Sequence, residues 1–184
     1  MDGYNAKLNS KMRGGNSFCF GSVINAIRFI QKKYSYIDVT VRTVITRCNF
    51  ETVHLIGDSL VNADINVIKL RWKLYQCTPL GPRQKEINRQ GLLISNEEFY
   101  RVLDRVKQHN TSFGSIVGQS VMDEIGRYFL VHPDGSTKII CNQGNDTPYE
   151  VSTGNIIDNF IQVLTNINKN YLFKDMCKTR LIEK

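Results

Sequence analysis

From Ser115 to Cys141 the sequence SIVGQSVMDEIGRYFLVHPDGSTKIIC reads as three strands in succession, joined by the turn formers of DEIG and HPDGS. Strands that follow one another directly pair as antiparallel hairpins, whereas parallel neighbours need a crossover between them. Helical periodicity lies on either side of this run. SFCFGSVINAIRFIQKK places Val23, Ile24, Ile27 and Ile30 at helical spacing, with Asn16 or Ser17 to cap it, and predicts a largely buried helix. Ser95 stands three residues ahead of Glu98, a capping box that opens a helix through about Gln108 with Phe99, Val102, Leu103 and Val106 inward. Ser152 caps another amphipathic stretch, whose stripe is Ile156, Ile157, Phe160, Ile161, Leu164 and Ile167. Strands grouped together, instead of alternating with helices, predict an α+β fold with an antiparallel sheet packed against helices.

The remaining segments are less patterned. Ile37, Val39 and Val41 alternate in YIDVTVRTVITRC, as in a strand or an extended arm. DINVIKLRWKLYQ fits either a helix with Ile65, Ile68 and Trp72 on one face or a pair of strands. CTPLGPRQKEINRQG reads as an exposed loop, and YLFKDMCKTRLIEK as a short strand or tail. Residues 1–15 read as a flexible lead-in ending in Gly14-Gly15-Asn16, and the 184 residues fit a single domain, 1–184. No window reaches the roughly 18 apolar residues that span a bilayer. The polar N-terminus also lacks the apolar core of a secretory signal. The expectation is an intracellular protein, of the cytoplasm or nucleus, without a membrane partner.

Five cysteines, at 19, 48, 77, 141 and 177, are widely spaced and form no CxxC pair. Structural zinc needs closely spaced thiolates, and an odd count argues against a full disulfide framework, so neither metal nor cofactor is expected. Phosphate loops, HExxH and GxSxG are absent. Cysteine chemistry is what the motifs leave. Cys19 stands in GGNSFCFGSV at the first turn of the expected helix. There, unpaired backbone N–H groups and the positive helix end favour a thiolate and offer oxyanion donors. The same cysteine between Phe18 and Phe20 also fits a plain core position.

A thiolate nucleophile needs a base, and three histidines are present. His54 lies in an apolar run and suits a core or strand position; His109 follows a helix end, where capping accounts for it. His132 ends the strand RYFLV and precedes Pro133 and Asp134. On a strand, residues 132 and 134 share a face, so Asp134 would orient the imidazole. HPDGS is equally an ordinary hairpin turn.

An early helix-opening cysteine followed by a late strand ending in His and Asp resembles papain-like cysteine proteases. More narrowly, it is similar to the deubiquitinating domains of herpesvirus large tegument proteins. The matching pieces are NSFCFGSVINAIRFI, RYFLVHPDGS, TKIIC and IIDNFIQVLTNI, covering roughly the first 30 and last 70 residues. The resemblance implies a papain-like arrangement in a viral protein acting in a host cell. The implied activity is that of a cysteine peptidase removing ubiquitin or a ubiquitin-like modifier. Cys19 would be the nucleophile, His132 the base and Asp134 its orienter. It also implies an upstream amide at the oxyanion, for which Asn9 is the nearest stand-in and Asn5 and Asn16 compete. The family order is aspartate then histidine, so here base and orienter exchange places.

Lys and Arg number 24 against 17 Asp and Glu, a net charge of +7 spread along the chain. This supports a second class of function, a non-catalytic interaction module that binds protein or nucleic acid through a basic surface. A third is an assembly protein whose helices at 97–108 and 153–167 mediate oligomerisation.

Overall fold

The computed structural model describes residues 1–15, 19–80, 84–123, 129–142 and 148–169. Helices and strands are mixed, with two three-stranded sheets, and they gather into two compact units. Met1–Cys77 with Lys85–Ser120 make the first unit; Thr78–Gln84 with Val121–Lys184 make the second.

In the first unit, α1 (Ala6–Met12) and α2 (Cys19–Lys33) precede β1 (Val39–Ile45), and α3 (Leu55–Val61) precedes β2 (Leu70–Gln76). The helices α4 (Gln84–Arg89) and α5 (Asn96–His109) then lead to β3 (Ser115–Gln119). The strands lie in the order β1-β2-β3 and all pairs are parallel, with Val41 opposite Trp72 and Trp72 opposite Ile116. This corrects the antiparallel expectation for one of the two sheets. Helices intervene between β1 and β2 and between β2 and β3, so each link is a crossover. The ambiguous DINVIKLRWKLYQ is neither a helix nor a strand pair: after one 3₁₀ turn at Val67–Lys69 it forms the single strand β2. The segment at 77–91, expected as a loop, contains α4.

One face of this sheet sends Val41, Ile45, Trp72 and Leu74 into a core shared with α2, α3 and α5. From α5 come Phe99, Val102, Leu103 and Val106, the stripe expected from the sequence. The capping box that starts α5 is also present: Glu98 N–H donates to Ser95 Oγ at 3.1 Å, and Ser95 N–H to Glu98 Oε2 at 2.8 Å. Gly118 lets α5 approach β3, since a Cβ there would stand 2.4 Å from Leu103 Cδ2. The other face is largely open. Thr40, Arg42, Val44, Arg71 and Val117 are exposed on it, and Lys73 and Tyr75 are half-buried. Parallel sheets are ordinarily covered on both sides.

The first fifteen residues are built into the fold instead of trailing from it. Asn5 caps α1 by accepting Leu8 N–H, and Asp2 is only 4% exposed. The Asp2 carboxylate accepts Val44 N–H at 2.9 Å and pairs with Arg13 at 2.6 Å. Asp2 N–H donates to Asn9 Oδ1, and Asn49 Nδ2 donates to Asp2 O, each at 2.9 Å. Thr43 Oγ1 accepts Trp72 Nε1–H at 3.0 Å and donates to Met1 O at 2.6 Å. Helix α2 is less buried than expected: Ile24 and Ile27 enter the core, while Phe29 is 54% exposed.

The second unit pairs β4 (Phe129–Val131), β5 (Ser136–Asn142) and β6 (Pro148–Asn155) as an antiparallel sheet, followed by α6 (Phe160–Lys169). Ile139 and Cys141 pack with Val163 of α6, flanked by Phe129 and Val151. Ser152 is a strand residue paired with Lys138, not a helix cap. The helix starts eight residues later, where Asn159 Oδ1 accepts Gln162 N–H. Val163 is buried on the sheet side, and Ile157, Phe160, Ile161 and Leu164 of the expected inner stripe are exposed, while the side chain of Ile167 lies outside the described residues.

Two substitutions test this packing. Thr43→Val removes the acceptor of a buried indole N–H and is expected to destabilise by about 1–3 kcal/mol in urea unfolding. Asp64 closes α3 in the left-handed region, at φ 53°, where Asp64 N–H reaches Val61 O and Ile65 N–H reaches Leu60 O. Asp64→Gly is expected to stabilise by about 0.5–1 kcal/mol, because the strained L-residue is relieved.

Candidate functional site

Cys19 is the first residue of α2, half-buried and with a free thiol. Ile24 and Ile27 anchor the helix behind it, while the first-turn N–H groups lack intrahelical acceptors. Asn16 and Ser17, candidates for the cap and, in the case of Asn16, for the oxyanion, lie outside the described residues. Asn9 lies on α1, which packs against α2; it is buried, and its side-chain oxygen holds Asp2 N–H. Asn5 is the α1 cap.

His132, Pro133, Asp134 and Gly135 form the tip of the β4–β5 hairpin. Gly135 N–H donates to His132 O at 2.9 Å, His132 N–H donates to Ser136 O at 2.8 Å, and Gly135 sits at φ 79°. This is a type I turn closed by a left-handed glycine. The strand alternation expected to align residues 132 and 134 therefore does not apply. Asp134 Oδ1 accepts Ser136 N–H at 2.9 Å and Ser136 Oγ–H at 2.7 Å. Those bonds, with a smaller electrostatic contribution from His132, hold the carboxyl below its usual range. His132 Nε2 is buried with no hydrogen-bond partner among the described residues. Cys19 belongs to the first unit, His132 and Asp134 to the second.

The other thiols differ in setting. Cys77 and Cys141 are buried, and burial pushes the Cys141 thiol up. Cys177 lies outside the described residues. Cys48 is exposed and lines a groove of about 350 Å³ with Tyr4, Lys7, Leu8 and Lys11.

A histidine pair escaped the sequence analysis. His54, just ahead of α3, meets the His109 ring edge-on at 4.9 Å between centroids. His109 Nε2 lies 3.0 Å from both Asp58 oxygens. The sequence signal for it is Asp58 in the first turn of α3, four residues after His54. Both side chains of that pair are over 40% exposed, so it adds little stability. Among the described residues no three His, Cys, Asp or Glu side chains gather as metal ligands. Nor is any helix there long and apolar enough to cross a membrane.

The chain matches no protein-family model and no curated protein.

His54 has a pH consequence. Loss of water around its ring, followed by the like charge of His109 and Arg105, lowers its affinity for a proton below the ordinary 6.5. Below pH 6.5 the unfolded chain binds a proton that the folded chain resists. The contribution of this ring to stability is thus full above that pH and is lost as pH falls toward the folded value. An NMR titration is expected to give His54 a midpoint below 6.5. His54→Gln is expected to lose less stability than the unsubstituted chain on acidification through that window.

Proposed function

We propose that the chain is a cysteine-nucleophile hydrolase, a papain-like peptidase whose protein substrate carries ubiquitin or a ubiquitin-like modifier. The observation that carries this proposal is Cys19 as the first residue of a core-anchored helix, half-accessible at the positive end of the helix. Cys19 Sγ attacks the carbonyl, and its backbone N–H helps to hold the oxyanion. His132 is the proposed base for the thiol proton and the acid for the leaving amine; in support, its Nε2 has no hydrogen-bond partner among the described residues. Asp134 acts as a fixed negative charge near the ring, since Ser136 occupies its Oδ1.

The test is labelling of the full chain by ubiquitin vinyl sulfone under reducing conditions, in a Cys48→Ser background to remove the exposed thiol. An adduct on Cys19, located by peptide mass spectrometry, is expected. Cys19→Ala abolishes it, and His132→Gln slows it about 10²–10⁴-fold. Absence of any Cys19 adduct on folded protein refutes the proposal. The open basic face of the first sheet favours a second, non-catalytic reading as an interaction module, in which Cys19→Ser leaves partner binding intact.

A further inference from the structure

The open face of the first sheet carries a charge arrangement that does not serve the fold. Thr40, Arg42 and Val44 of β1 lie beside Arg71, Lys73 and Tyr75 of β2, and the register sets Arg42 directly next to Lys73. Neighbouring strands are about 4.8 Å apart and alternate residues about 6.6 Å apart, so three cations crowd one small area. Like charges directly opposite on adjacent strands destabilise a sheet. Three other arginines of this unit meet acids, Arg13 with Asp2, Arg47 with Glu98 and Arg105 with Glu51. No ion pair among the described residues includes Arg42, Arg71 or Lys73. The strand on the far side adds Ser115, Val117 and Gln119, so none of the outward residues of the three strands is acidic.

A ligand with regularly spaced negative charge would supply what the sheet lacks. Tyr75 adds an aromatic ring on the same face, two residues beyond Lys73. Cations flanking an aromatic platform on an open sheet suit alternating phosphates and bases. At the start of the strands lies a groove of about 280 Å³, lined by Thr40, Lys69, Arg71 and Ser115 together with one acid, Asp38, so its cations outnumber its acids. We propose that this sheet face binds single-stranded nucleic acid, with phosphates over Arg42, Arg71 and Lys73 and a base on Tyr75. An acidic polypeptide would satisfy the cations but give Tyr75 no stacking partner. The proposal is independent of the Cys19 chemistry.

Fluorescence anisotropy of the full chain with a fluorescein-labelled oligouridylate of about a dozen nucleotides tests it. Salt-sensitive binding is expected. Arg42→Gln with Lys73→Gln is expected to weaken it at least about tenfold at low salt and to flatten the log–log salt slope by about 0.7 per cation removed. Tyr75→Leu is expected to weaken it about tenfold with the salt slope unchanged. Arg42→Gln alone is expected to raise the thermal unfolding midpoint, because a like-charge neighbour is gone. Lys32→Gln with Lys107→Gln, on helices α2 and α5, retains affinity. Equal loss in that control overturns the proposal in favour of diffuse attraction. Failure to bind, tighter binding of polyglutamate, or tighter binding of a duplex of equal length each overturns it as well.

Discussion

The buried carboxylate of Asp2 is the constraint on which the first unit turns. A charge nearly removed from water is tolerated only when its hydrogen-bonding capacity is met. Here Val44 N–H and the Arg13 guanidinium meet it, while the Asp2 backbone engages Asn9 and Asn49. One residue thereby ties the edge of β1 to α1 and to the turn after β1. Because α1 packs against α2, the same network backs the helix that begins with Cys19. Asn9, attractive from the sequence as an oxyanion amide, owes its burial to this network.

Local signals were legible where the interaction is itself local. The capping box at Ser95 and Glu98 and the stripe of Phe99, Val102, Leu103 and Val106 depend on residues within a few turns of one another, and α5 forms as read. The alternation of Val39 and Val41 marks β1 for the same reason. Parallel pairing is not local. Nothing in LRWKLYQ states that its neighbours are VTVRTVI and SIVGQ, and over seven residues its apolar spacing fits helix as well as strand. Ser152 shows the reverse failure: a good cap residue by type, it is held in β6 by pairing with β5. Of the candidate site, the helix-start position of Cys19 was legible. The turn at His132 was one of two readings, and the tie from Asp134 to Ser136 was not foreseen.

The open sheet face shows a conflict between folding and surface chemistry. Its inward residues follow hydrophobic alternation, but its outward residues place Arg42 against Lys73. Sequences whose levels agree avoid such pairs, and departures mark places where something other than stability shapes the choice. The excess of positive charge, diffuse when counted along the chain, becomes local only once the parallel register is known.

The first two residues also decide what happens at the rim of that sheet. β1 is an outer strand, and an outer strand presents unpaired N–H and C=O groups that can recruit another chain. Met1 occupies the Arg42 carbonyl and Asp2 the Val44 N–H, so this stretch of rim is already sealed. Displacing these two residues would uncover a ready template for strand addition. The same short segment that steadies the interior thus also occupies part of the pairing edge of β1.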